Sequence, residues 1–176
     1  MLYFSILNTY CPLPQVDFCW NDYQLIPIRY EDREAIRTWR NAQLQVLRQK
    51  EPLSVEQQNA YFQNVVLPLF NQEKPGQLLF SLLHLGKLIA YGGLVHISWP
   101  DGRAEVSFLA DPERANTPAT YREDFLTYLR LLGEITFKHL KFNRLFTETY
   151  YIRPAHVAIP KRPAFGWKAA CGSTCS

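Results

Sequence analysis

The chain has 176 residues, 47% of them hydrophobic and 20% charged, enough to bury one core without disulfides or metal and too apolar for a disordered or collagen-like chain. The net charge of +3 is carried by a C-terminal stretch, residues 153–176, which holds Arg153, Lys161, Arg162 and Lys168 and no acid. The nearly neutral remainder offers no basic face for nucleic acid, no apolar run approaches the roughly 18 residues of a membrane helix, and the N-terminus lacks the basic region of a signal peptide.

Residues 1–21 have no sustained period and are read as an N-terminal extension. Residues 23–29 predict a strand, with Pro27 marking an edge or bulge. Residues 31–47 predict a helix with Ile36, Trp39, Val46 and Leu47 near one face and two acids at its positive end. Ser54-x-x-Gln57 is a capping-box signature that opens a second helix, which Pro68 ends or kinks. Residues 77–85 and 87–99 flank Gly86 as a hairpin, and Gly92-Gly93 predicts a bulge. Residues 103–110 alternate, with Ala104, Val106, Phe108 and Ala110 on one face and Glu105, Ser107 and Leu109 on the other. Residues 111–119 are a loop. Residues 120–140 predict a long helix with Tyr121, Phe125, Tyr128, Leu129, Leu132 and Ile135 inward. Residues 144–150 are a further strand, and 154–159 start a last helix. Three strands joined by tight turns favour an antiparallel meander, and the strand–helix–strand unit at 103–150 favours a parallel crossover. The expected fold is α/β: a mixed, mainly antiparallel central sheet with helices on both faces.

Parallel strands joined by a helix leave a crevice at their carboxyl ends, where the helix N-terminus offers unpaired N–H groups to an anion. That place is the 111–120 loop, and Arg114 adds a positive charge to it.

The element order resembles that of the GCN5-related N-acetyltransferases. Four phrases carry the resemblance: Trp39-Arg40-Asn41, Tyr91-Gly92-Gly93-Leu94, Ala104-Glu105-Val106-Ser107-Phe108-Leu109 and Phe146-Thr147-Glu148-Thr149-Tyr150. They are similar to a branch near the ribosomal-protein alanine acetyltransferases and the amino-sugar acetyltransferases. Domain limits of 22–159 follow, with 160–176 as an atypical tail. The resemblance implies a cytoplasmic enzyme that uses acetyl-CoA as cosubstrate. A primary amine, on a small molecule or a peptide, would attack the thioester directly, with no metal, nucleic-acid or membrane partner. It also implies that backbone groups of Phe108, Leu109 and Ala110 hold the pantetheine arm. The family's pyrophosphate loop corresponds to Arg114-Ala-Asn-Thr-Pro-Ala119. There Thr117 replaces a glycine and Pro118 removes an N–H, so side chains of Asn116, Thr117 and Thr120 would assist the backbone of Ala119. Glu105 is the first candidate for the base that deprotonates the amine, and Glu148 the second. His96 either lines the acceptor pocket or is structural. The family's tyrosine acid falls at Pro160, so no general acid is assigned.

After Ile159 the family's helix and last two strands give way to a segment broken by Pro160 and Pro163 and ending in Cys171-Gly-Ser-Thr-Cys175. Cysteines confined to the two ends suggest a reducing compartment. Read one base earlier, the Trp167-Lys168 codons compel a glutamate at 168, and the neighbouring codons permit a family-like ending. A frameshift near residue 160 is therefore expected, with the C-terminal strands missing. The alternative reading is a truncated, inactive member that binds only CoA or a partner.

Overall fold

The computed structural model describes residues 8–44, 47 and 49–147. The last three residues of the strand expected at 144–150, the helix expected at 154–159, Glu148 and the whole 160–176 tail, with Cys171 and Cys175, lie outside the described residues.

The elements run β1 (Phe18–Trp20), β2 (Tyr23–Pro27), α1 (Arg33–Ala42), α2 (Val55–Tyr61), α3 (Leu67–Leu69), β3 (Leu78–His84), β4 (Lys87–Ser98), β5 (Arg103–Ala110), α4 (Pro112–Ala115), α5 (Pro118–Glu134) and β6 (Arg144–Phe146). The six strands form one sheet in sequence order. Neighbours from β1 to β5 are antiparallel, and β5 and β6 are parallel. The mixed, mainly antiparallel sheet is thus as expected from the sequence.

Helix boundaries follow local chemistry. The first helix is shorter than its periodicity suggests: a 3-10 turn at Tyr30–Asp32 precedes it, and it stops at Ala42. Ser54 and Gln57 form the capping box, Gln57 N donating to Ser54 Oγ at 3.2 Å and Ser54 N to Gln57 Oε1 at 2.8 Å. The following helix widens into a π turn at Phe62–Val66 just before Pro68, whose ring and missing N–H disrupt regular α bonding.

Residues 1–21 do not all behave as an extension. Tyr10 is fully buried and its ring stacks on Phe70 with centroids 4.4 Å apart. Its hydroxyl donates to Leu79 O at 2.8 Å and accepts from Leu79 N at 2.9 Å. Leu13 and Phe18 join the same core. No period in the sequence signals this, because each residue is anchored singly. Cys11 is a free thiol, and Cys19 is disulfide-bonded. No helix among the described residues is long and apolar enough to cross a membrane.

The two sheet faces have different cores. Phe108 packs among Tyr121, Phe125 and Tyr128 of α5, with centroids 4.7–6.0 Å away. On the other face, Ser81 Oγ donates to the buried Asp32 carboxylate at 2.6 Å, and Arg29 bonds both of its oxygens, fixing the start of α1 to the sheet.

Burial raises the pKa of Tyr10, Tyr91 and Tyr128, and raises that of Tyr23 with further help from the Asp124 carboxylate. These phenols stay neutral in the fold at a pH where an unfolded chain loses protons. Their contribution is complete below the ordinary phenol value of about 10 and is lost as pH rises through the folded values. The denaturation midpoint should therefore hold level to about pH 9 and fall progressively above about pH 10. Titration by circular dichroism alongside tyrosinate absorbance checks this, and a midpoint unchanged while the buried phenols ionise would contradict it.

Candidate active site

β5 is longer than its parallel partner. Pairing with β6 covers Arg103, Ala104 and Glu105, while pairing with β4 continues to Ala110. Among the described residues, β5 beyond Glu105 therefore has a neighbour on one side only. Asp111 N donates to Ile89 O at 2.9 Å, which sets the alternation of the ladder. Odd-numbered residues turn their backbone groups to β4, and even-numbered ones turn them to the open side. Phe108 thus presents both N–H and C=O on the side where, among the described residues, no strand pairs with it. The expectation for Leu109 is corrected: its backbone belongs to the β4 ladder. Ala110 is half available, because its carbonyl accepts from Gln43 Nε2 at 3.0 Å. An extended amide-bearing arm fits the Phe108 edge as an added strand does.

The open edge leads to α4 and α5, the first of which occupies part of the expected loop. Arg114 is not aimed at a phosphate. Its Nε and Nη2 donate to the two Asp124 oxygens, each at 2.7 Å, and Tyr23 Oη donates to the same carboxylate at 2.9 Å. Asp124 is 0% exposed, so this bidentate pair locks α4 onto α5 instead of supplying free charge. Thr117 lies at the N-cap of α5 with φ −107 and makes no side-chain cap. That φ is ordinary extended backbone, so threonine replaces the family's glycine without strain. Pro118 takes the first helical position, whose N–H has no helical partner anyway. The N–H groups of Ala119 and Thr120 remain for an anion at the positive end of a 17-residue helix. Asn116 and Thr117 are exposed beside them and Thr120 is half-buried. These residues fit the pyrophosphate of CoA.

The other face of β5 carries the candidate base. Glu105 is opposite Val95 on β4 and Phe146 on β6, and its side chain is 18% exposed. Between Val95 and Ser98, β4 has one more residue than β5. This bulge puts His96 in the left-handed region, φ 49, and brings its Nε2 to 3.9 Å from Glu105 Oε2, with the imidazole 78% exposed. A bulge re-aims a side chain in this way. It lies near His96, not at the Gly92-Gly93 pair, where the register is regular.

Val95 and Ser107, the cross-strand and i+2 neighbours of Glu105, line a cleft of about 150 Å³ together with Tyr91, Arg40 and Tyr61. Arg40 Nη1 donates to Tyr91 Oη at 3.1 Å. Asn41 fixes the chain at Leu53 by two bonds, Nδ2 donating to Leu53 O at 2.9 Å and Leu53 N donating to Oδ1 at 2.8 Å. Gln43 and Asp124 had no role in the sequence reading. The signal for Asp124 was an acid on the apolar face of a helix, one residue before Phe125.

The model of the acetyltransferase (GNAT) domain matches residues 25–171. The chain belongs to the GNAT acetyltransferase family. It is an acetyltransferase, and acetyl-CoA is its cosubstrate. The match extends past Ile159, into the tail. No curated protein sequence matches the chain. Solved structures match it in fold. The spermidine N-acetyltransferase of Vibrio cholerae, crystallised with CoA and spermine, has a TM-score of 0.64 at 15% identity, over 80% of this chain and 79% of that one. A dodecameric form of the same enzyme gives 0.61 at 15% identity, over 80% and 77%. A crystal structure titled only as an acetyltransferase gives 0.53 at 15% identity, over 75% and 64%.

Proposed function

We propose that this GNAT enzyme acetylates a primary amine on an amino sugar or at a protein N-terminus, with Glu105 as the base. The observation that carries the reading is the position of the cleft. It opens on the sheet face that bears Glu105, which stands three residues along the same strand from Phe108.

Phe108 backbone groups hold the pantetheine arm, and Ala119 and Thr120 N–H groups hold the pyrophosphate. The amine enters from the cleft and gives its proton to Glu105, directly or through one water. Its nitrogen then bonds to the thioester carbonyl carbon, the carbon–sulfur bond breaks, and the second proton that the nitrogen loses on becoming an amide ends on the leaving thiolate. His96 stands on the solvent side of Glu105 and offers the proton a way out. The spermine in the Vibrio neighbour adds polyamines to the acceptors worth screening. The tail belongs to this reading as the product of a frameshift near residue 160, and related coding DNA that carries the same tail in frame would exclude that origin.

Calorimetric titration with acetyl-CoA, followed by amine-dependent thiol release, tests the function. Saturable binding and release are expected. Binding without release to any primary amine would favour the inactive alternative.

A further inference from the structure

The last turn of α1 sends Arg40 into the cleft. Its Nε and Nη2 both donate to Gln49 Oε1 at 3.3 Å, and Nη1 donates to Tyr91 Oη at 3.1 Å. All three bonds go to neutral oxygens. On the same segment Arg29 pairs with Asp32 and Glu31, and Arg37 with Glu34; Arg33 also bonds neutral oxygens, those of Asn59 and Tyr30, but it does not line the cleft. Glu105 is not within ion-pair distance of Arg40. The other polar side chains lining the cleft, Gln58, Tyr61, Gln77 and Ser107, are uncharged. The described lining thus carries one positive charge and no negative one.

A guanidinium has five donors in a planar fork. Here three are spent on neutral partners that hold the fork in place, and the remaining capacity suits an oxyanion. A polycationic acceptor would meet like charge in the cleft and find no carboxylate in the described lining.

We propose that the amine acceptor carries an oxyanion, a carboxylate or phosphate group, which Arg40 binds in the cleft. The inference rests on the function proposed above and narrows its substrate class. A charge-assisted bond of this kind corresponds to about 10–100-fold in affinity.

The test uses the full chain, acetyl-CoA and matched amines: ethanolamine against ethanolamine phosphate, glycinamide against glycine, and spermidine. The expected result is a kcat/KM at least about tenfold higher for an oxyanion-bearing member than for its neutral partner, with spermidine poor. Whichever pair shows the preference identifies phosphate or carboxylate as the source. Arg40→Gln should erase the preference, raising KM for the oxyanion-bearing amines far more than for their neutral partners, and Arg40→Lys should keep part of it. Preference for spermidine or for the neutral members would overturn the inference, as would an Arg40→Gln variant that slows every amine equally. If Arg40→Gln does not fold, the wild-type preference and Arg40→Lys decide. Acetyl-CoA binding with no transfer to any amine would instead sink the proposed function itself.

Discussion

Glu105→Gln is expected to lower kcat by about 10²–10⁴-fold while acetyl-CoA affinity stays unchanged. The amide keeps the size of the carboxylate and the pairing of β5 with Val95 and Phe146, but it cannot accept a proton from an ammonium. The open edge at Phe108 and the N-terminus of α5 are untouched. The substitution therefore separates chemistry from cosubstrate binding. Amine-dependent thiol release across pH, with acetyl-CoA calorimetry on the same sample, measures both. An undiminished kcat would remove Glu105 from the mechanism. A parallel loss of acetyl-CoA binding would make it a structural residue of the strand.

Gly92→Ala should be among the most destabilising single changes in the sheet. A Cβ there would overlap the Ser107 carbonyl, 2.7 Å from its carbon, and sit 2.8 Å from Tyr128 Oη. Neither neighbour can retreat, because Tyr128 Oη donates to that carbonyl at 2.7 Å and Tyr128 is fully buried. At Gly93 the obstacle is again backbone, the carbonyl of Leu78 on β3. Overpacking against main chain should cost about 3 kcal/mol or more, a Tm drop of roughly 6–12 °C for a domain of this size. Gly76→Ala is the control, since nothing lies within 4 Å of its Cβ. Thermal unfolding of the two variants side by side decides the matter, and equal Tm values would refute the close-approach argument.

Periodicity made most of this fold legible. The alternation at residues 103–110 gave the correct two faces of β5, and the apolar face of α5 was read nearly residue for residue. The capping box at Ser54 and Gln57 formed as its spacing demands. Where the reading failed, the cause was long-range. Tyr10 enters the core through one stacked ring and two bonds to Leu79, which leaves no local pattern. Arg114 looks like a phosphate ligand in one dimension, and only the fold brings Asp124 and Tyr23 to it. The Thr117 and Pro118 substitutions looked damaging because residue types were weighed without dihedrals; with φ −107 at Thr117 they are compatible with the same helix start. At the strand tip, which backbone groups face the open edge depends on ladder phase, and that phase could not be set from sequence.

The bond from Gln43 to the Ala110 carbonyl joins the two regions proposed above to bind acceptor and cosubstrate. Gln43 caps the helix that carries Arg40, and Ala110 ends the strand proposed to receive the pantetheine arm. A ligand that shifts this helix stretches or releases the bond, and a ligand that straightens the strand tip pulls on it from the other side. If both proposed sites are occupied as argued above, this bond couples acceptor and cosubstrate without contact between them. Linkage makes that interaction reciprocal: the factor by which one changes the other's affinity is the same in both directions.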